Sequence, residues 1–325
     1  MRLIKRSIEI LNSSKRVADA IHKISGYSSF MTFLDILRAR LLYGASEEDY
    51  IAMEFYRKSH NEQKQFNTYR RNFVEFFNAF YDDKAVKTFD KKEYFLKEFS
   101  SMIKHDYLFT GDASIDELNA FIHEHGSVIV KPNDGCEGVG VFKLEATDKV
   151  GIDKLLKDIS HGKKYVIEEL VIQHPKMSAL NPSSVNTIRV ETIIDGKGKV
   201  HITNTICIMG TSDSVVNNTH NGGIMCHIEP DTGILDSFAR NPRGERFFRC
   251  PSTNIILPGY QLPNWDGILE FAKKLAYVVP SARKIGWDIV ILEDGYDVIE
   301  GNVRPGHCTQ ACDMKPRYYL EKGMI

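Results

Sequence analysis

The stretch WDIVILEDGYDVIEGN, residues 287–302, decides how the chain reads. Two apolar, β-branched runs flank Glu293-Asp294-Gly295, which predicts a hairpin with a three-residue loop and Gly295 in the left-handed position. Pairing Leu292 with Tyr296 across that loop sets Asp288 directly opposite Glu300. Facing carboxylates on a sheet repel unless something neutralises them. Asn302, two residues beyond Glu300, shares its face. Three hard oxygen-bearing side chains on one surface suit Mg2+. A solvent-facing acidic strand fits the same pattern, and a slip of one residue would undo the pairing.

Working back from this hairpin, NWDGILEFAKKLAYVV (264–279) has the spacing of an amphipathic helix. GGIMCHI–EPDTG–ILDSF and TIRVETII–DGKG–KVHITNTI read as two further hairpins. KYVIEELV, VGVFKLE and SVIVKP read as strands, and FDKKEYFLKEF (89–99) as one helix. SIDELNAFIHEHG (114–126) is a helix with Ser114 as N-cap, Glu117 at the capping-box position and Gly126 as C-cap. Residues 1–86 read as helices. Ser46 followed by Glu47, Glu48 and Asp49 is an N-cap with an acidic first turn, and the aromatic spacing of FNTYRRNFVEFFNAFY (66–81) marks a core-facing helix. The fold class is therefore α+β built on antiparallel hairpins, without βαβ alternation. It divides into a helical N-terminal region, 1–86, and a chemistry-bearing domain, 87–325.

Three more pieces carry chemistry. Lys131 ends a strand and precedes the loop of Gly135, Gly138 and Gly140. Such a loop brings backbone N–H groups close to phosphates while the lysine supplies a point charge, although a plain glycine-rich turn has the same composition. It is neither a Walker A sequence nor a Rossmann fingerprint. Glu168-Glu169-Leu170-Val171 closes a strand, and Arg189 sits among β-branched neighbours, where a guanidinium needs an anion.

The bulk numbers exclude other classes. The 325 residues carry a formal net charge of −1, so no global basic field exists to bind nucleic acid. Residues 1–40 hold eight Lys and Arg against Glu9, Asp19 and Asp35, a local balance of +5. That start suits a membrane surface or an anionic glycan, and equally a solvated helix. Six scattered cysteines without CxxC spacing fit reduced thiols in the cytoplasm. No apolar run is long enough to span a bilayer, and no targeting segment is evident.

In order and spacing, Asp90-Lys91-Lys92, VKPNDGCEGVGV, EELV, the Arg189 strand, Asn218 with Gly222-Gly223, and Asp288…Glu300-Gly301-Asn302 resemble the ATP-grasp superfamily. The wider chain, including LLYGASEEDYIAMEFY and QHPKMSALNPSSVNTIRV, resembles its sugar-transfer-associated group. The resemblance implies two α+β subdomains sandwiching ATP. It implies that Lys131 and Lys91 (or its neighbour Lys92) hold the phosphates under a lid of Gly135, Gly138 and Gly140. Glu168, Glu169, Leu170 and Val171 would line the adenine hinge, with Gln173 at the ribose where many members have an acid. Asp288, Glu300 and Asn302 would hold Mg2+. Arg189 and Asn218 would face the γ-phosphate, and Arg304, ahead of His307, would clamp the acceptor carboxylate.

That family couples a carboxylate to a nucleophile through an acyl phosphate. The resemblance thus implies an ADP-forming ligase that amidates a uronic-acid sugar or polysaccharide, in capsule or polysaccharide biosynthesis. Its partners would be a small-molecule or glycan carboxylate, an amino acid or small amine, and glycan-assembly enzymes, with the chain in the cytoplasm, peripheral at the inner face of the membrane. An amino-acid ligase, a phosphotransferase and a non-catalytic partner of a glycosyltransferase stay open beside it.

Overall fold

The computed structural model describes residues 2–135, 138–211, 223–241, 244–306 and 309–325. The chain opens with helices α1 (Arg2–Ser25), α2 (Ser29–Tyr43), α3 (Glu47–Ala52) and α4 (His60–Gln63). The Ser46 side chain accepts from the Asp49 amide and Asp49 answers on the Ser46 amide, a capping box that starts α3. Ala18, Ile21, Ile36, Ala39, Met53 and Phe55 meet in a cluster belonging to this region alone. A π-turn, Arg71–Glu75, leads into α5 (Phe76–Phe80), whose rings pack instead on Ile193 and Tyr318.

The predicted helix 89–99 is two helices, α6 (Asp83–Asp90) and α7 (Lys92–Glu98), broken at Lys91 with extended φ −129° and ψ 138°. The cause is Asn133, which ends the next strand region and is only 2% exposed. Its carbonyl accepts from the Lys92 amide and its Oδ1 from the Glu93 amide, capping α7 from a distant loop.

Strands β1 (Tyr107–Phe109), β2 (Ser127–Pro132), β3 (Phe142–Glu145) and β4 (Tyr165–Glu169) form an antiparallel sheet in the order β1-β4-β2-β3. Helices α8 (Ile115–His125) and α9 (Lys149–Ser160) cover it through Leu118, Ile122, Val128, Val130 and Leu155. Ser114, Glu117 and Gly126 cap α8 as the sequence predicts. After α10 (Pro175–Leu180) comes the larger sheet: β5 (Thr187–Ile194), β6 (Val200–Met209), β7 (Ile224–His227), β8 (Ala239–Arg240), β9 (Arg246–Phe247), β10 (Lys284–Leu292) and β11 (Gly295–Val303). Its order is β11-β10-β5-β6-β7-β8-β9, antiparallel throughout. Alternate side chains of β5 and β6, Ile188, Val190 and Cys207, join the main core with α11 (Ile268–Val278). The intervening Ile206 and Ile208 face the other way, towards Cys312 of α12 (Gln310–Asp313); α13 (Tyr318–Lys322) ends the chain.

The hairpin predicted around EPDTG is weaker than expected. Ile228 and Leu235 form a single bridge, and β8 takes the place beside β7.

Asp297 of β11, 1% exposed, ties the two sheets together. Its carboxylate accepts from the Lys104 and His105 amides and meets His105 Nδ1 at 2.8 Å. His105 Nε2 lies 3.6 Å from Glu168 of β4, which pairs with Lys131 of β2. Burial alone would push the Asp297 carboxyl up, but the His105 contact and the two amides hold it below the usual carboxylate range. Burial would lower His105, yet Asp297 and Glu168 raise it above its ordinary value. A depressed Asp297 contributes stability above pH ~4 that is lost as pH falls through its folded pKa. A raised His105 contributes stability that is full below pH ~6.5 and lost as pH rises through its folded pKa. Urea-unfolding free energies should therefore plateau between those limits and decline on the alkaline side. In His105→Gln that alkaline decline should be absent; if it persists unchanged, His105 is not its source.

Candidate active site

The hairpin β10–β11 reaches the predicted pairing by a different route. Its turn has two residues, Glu293 and Asp294, because Gly295 (φ 97°) already pairs with Leu292, and Ile291 rather than Leu292 faces Tyr296. A bulge between Asp288 and Ile289 then absorbs one residue of β11, and Asp288 does face Glu300. The turn reading was one residue out, and the bulge restores the register.

Arg189 on β5 is the direct partner of Asp288 on its other side. Its Nε and a terminal nitrogen each reach the Asp288 carboxylate at 2.6 Å, a bidentate fork. Burial would lower the Arg189 guanidinium, but the Asp288 carboxylate more than compensates and raises it. Asn302 Nδ2 donates to Asp288 at 3.2 Å. The Glu300 carboxylate accepts no hydrogen bond among the described residues. Burial and the Asp288 charge push it above the usual carboxylate range, against the pull of Lys92, Lys131 and Arg189.

Glycines make this crowding feasible, which sequence reasoning missed. A Cβ on Gly286, opposite Asn302, would stand 2.8 Å from Pro305 and 3.0 Å from Arg189 Cδ, in the path of the Arg189 stem. A Cβ on Gly301 would press into the Phe89 ring at 2.5 Å. Phe89 and Phe99 pack on Trp287 with ring centroids 6.0 and 5.4 Å apart, which fixes α6 and α7 to the large sheet. A glycine exactly two before a strand aspartate and a second between Glu300 and Asn302 were the available signals.

The lysines sort by the break at residue 91. Lys92 points inward, donates to the Gly135 carbonyl and acts on Glu300. Lys91 turns to the surface, 3.5 Å from Asp134. Lys131, from the small sheet, pairs with Glu168 and also acts on Glu300. Gly138 and Gly140 adopt φ 71° and 76°, left-handed positions that keep the loop glycine-rich.

Other predicted residues fare differently. The Glu168 side chain is 4% exposed and faces Lys131 and His105 rather than a hinge. Glu169 Oε2 accepts from the Asp106 amide. Leu170 and Val171 lie past the end of β4, and their backbone groups make no hydrogen bond among the described residues. Gln173 is a correction. Its Oε1 accepts from the Asn186 amide and side chain, and its Nε2 donates to Ser184 and Asn181 carbonyls, so the buried amide is saturated inside its own turn and leaves nothing for a ribose. Arg304 (φ 57°) is exposed, with its guanidinium 3.9 Å over the Phe77 ring and no ion pair among the described residues. Asn218 and His307 lie outside the described residues.

The donor set fits a hard divalent cation: two carboxylates and an amide oxygen on one face, with one carboxylate free of hydrogen bonds among the described residues and raised by burial and its neighbour's charge. Asp106, His125 and Glu169 also converge within 4.8 Å, but Glu169 is committed to the Asp106 amide, and this is an ordinary surface cluster.

A model of the sugar-transfer associated ATP-grasp family matches residues 70–315. No curated protein matches the sequence. Among solved structures, the ATP-grasp ligase PsnB complexed with minimal precursor is 18% identical with a TM-score of 0.42, over 72% of this chain and 62% of its own. D-alanyl-alanine synthetase A from Vibrio cholerae is 16% identical, TM-score 0.44, over 69% and 57%. N5-carboxyaminoimidazole ribonucleotide synthetase in its ADP complex is 14% identical, TM-score 0.44, over 68% and 46%. The chain thus spans about half to three fifths of the length of these proteins.

A carboxyl with a raised pKa costs stability once it ionises, so Glu300→Gln should stabilise the metal-free protein at neutral pH, by on the order of 1 kcal/mol. The same variant should lose any Mg2+-induced rise in Tm. A Glu300→Gln protein that is less stable than wild type without metal would overturn the strained-pair assignment.

Proposed function

From the premise that the chain belongs to the sugar-transfer associated ATP-grasp family, we propose that it is an ADP-forming, Mg2+-dependent carboxylate–amine ligase. The observation that carries this reading is the convergence of Asp288, Glu300 and Asn302 with Lys92, Lys131 and Arg189 between the two sheets. The acid is a hexuronic-acid carboxylate, free or within a surface polysaccharide, and the amine is an amino acid or small amine. The family's sugar-transfer association and the exposed Arg304 guanidinium support that choice. Glycan-assembly enzymes as partners and a peripheral position at the inner face of the membrane belong to the same proposal. So does the functional division into residues 1–86 and 87–325, although α5 already packs on the large sheet.

The chemistry follows in two displacements. A carboxylate oxygen attacks the γ-phosphorus of ATP, the bond to the β–γ bridging oxygen breaks, and ADP leaves. The amine nitrogen then attacks the acyl carbon, inorganic phosphate leaves, and the nitrogen loses a proton as the amide forms. Lys131 and Lys92 hold the phosphates, with Lys92 rather than Lys91 as the second nucleotide lysine. Gly135, Gly138 and Gly140 let backbone N–H groups approach the phosphate oxygens. The backbone of Leu170 and Val171, without a hydrogen bond among the described residues, is suited to the adenine edge. Arg189 lies beside the transferring group and spreads its charge, and Asn218 is assigned there by motif. Asp288, Glu300 and Asn302 would hold Mg2+, which would supply charge neutralisation at the phosphates.

Incubation with ATP, uronic-acid sugars and amines should release ADP and phosphate and yield a product with a new amide mass. Hydroxylamine should divert the acyl phosphate into a hydroxamate. Lys92→Ala should reduce turnover at least about a hundredfold while Lys91→Ala stays within a few fold of wild type, since only the former removes a phosphate contact. AMP as the main product, or phosphorylated sugar without hydroxamate, would contradict the ligase reading. Stimulation by free amino-acid pairs alone would replace the sugar with a small donor.

A further inference from the structure

Lys131 donates to Oε2 of Glu168, and His105 Nε2 stands 3.6 Å from the same oxygen, beyond hydrogen-bond reach. His105 Nε2 is buried and has no hydrogen bond among the described residues. Its ring is nevertheless fixed, because Nδ1 meets the Asp297 carboxylate at 2.8 Å and the His105 amide donates to that carboxylate as well. A neutral ring therefore carries its proton on Nδ1 and leaves a bare lone pair beside Glu168. A second proton turns Nε2 into a donor there. The charged groups around the ring are Asp297 from β11, Glu168 from β4 and Lys131 from β2. Its chain neighbours are engaged elsewhere, Lys104 with the Asp294 carbonyl and Asp106 with His125.

The Lys131 side chain is 13% exposed, against 4% for Glu168 and 2% for His105, so of the three only the lysine reaches a ligand. A phosphate that draws the ammonium away leaves behind a carboxylate that cannot turn to water. Stripping a buried carboxylate of its partner is strongly unfavourable. The donor within reach is His105 once it holds a second proton. It needs only to close its gap from 3.6 Å to a charge-assisted hydrogen bond of about 2.8 Å.

We propose that Lys131 and His105 exchange at Glu168 as nucleotide binds: Lys131 moves to the phosphates, while His105 binds a proton from solvent at Nε2 and hydrogen-bonds the Glu168 carboxylate. The inference rests on the proposed function only through the placement of Lys131 at the phosphates. His105 is a positioning residue, which keeps Glu168 satisfied and so frees Lys131 for the nucleotide. One proton enters with the nucleotide and leaves with it. By linkage, binding that favours the protonated ring is tightest where the ring is already charged, and it weakens as pH rises through the ring's pKa in the free protein. Burial opposes that charge, but Asp297 and Glu168 already hold the ring above its ordinary value, which puts the weakening on the alkaline side.

Calorimetric titration of the full chain with ADP and Mg2+, in buffers of different ionisation enthalpy, counts the protons that accompany binding. ADP brings phosphates without turnover. Between neutral pH and about pH 9, wild type should take up about half a proton or more per ADP at its maximum, and its affinity should fall about tenfold across that range. In His105→Gln and in Glu168→Gln the uptake should vanish and the affinity should stay level. Long-range proton–nitrogen spectra of the histidine rings should show the His105 signal, identified by its loss in His105→Gln, keeping its proton to higher pH when ADP is bound. Wild type that binds ADP without proton uptake overturns the exchange and leaves Lys131 bridging both anions. Uptake undiminished in either variant overturns it too, and Glu168→Gln alone decides if His105→Gln does not fold. The ligase reading fails separately, when Lys131→Ala keeps the full ADP-induced rise in Tm.

Discussion

Two carboxylates, Asp288 and Glu300, face each other across neighbouring strands, and much of the surrounding structure answers that repulsion. Arg189 neutralises one of them through a two-point fork, and Gly286 leaves the space its stem needs. Among the described residues no hydrogen bond reaches the other. Lys92 and Lys131 bias Glu300 electrostatically from two directions, but burial and Asp288 still hold its carboxyl above the ordinary range. A sheet selected only for stability would place an opposite charge or an apolar pair there. Local instability of this kind, kept at the centre of a well-packed hairpin, is what a bound divalent cation would relieve under the proposed function.

The lysines reach that surface from separately anchored bodies. Lys92 belongs to α7, held to the large sheet where Phe89 and Phe99 pack on Trp287. Lys131 belongs to β2 of the small sheet, where Glu168 and His105 form a buried chain back to Asp297. Asn133 connects the two by capping α7 from the glycine loop. Any anion bridging Lys92 and Lys131 therefore acts on both sheets at once, and movement of the loop is coupled to the start of α7.

The parts of the fold legible in the sequence were those with local causes. Ser114, Glu117 and Gly126 set the ends of α8, and β2 occupies the residues that its apolar pattern predicts. What failed had distant causes. The helix break at Lys91 comes from Asn133, some forty residues away, and nothing in FDKKEYFLKEF announces it. Gln173 looked available for a ligand, but its four hydrogen bonds go to residues that fold back from 181–186. In the β10–β11 hairpin the loop length was misjudged, and the facing pair survived because a bulge moved the register back by one. The pairing was predicted for the right chemical reason through an incorrect turn.

The bulge itself bears on function. Without it, the two-residue turn would pair Asp288 with Ile299 and turn Glu300 out of line, since a shift of one residue sends alternate side chains to opposite faces. Below the bulge the strands run in the register of the turn, and Val298 and Ile289 stay buried in the main core. Above it, Glu300 and Asn302 come to the polar face beside Asp288. One extra residue in β11 thus lets a single hairpin serve as a hydrophobic wall along one half and present the facing polar side chains Asp288, Glu300 and Asn302 along the other. The constraint explains why the acidic pair sits next to an irregularity rather than in the middle of an ideal ladder.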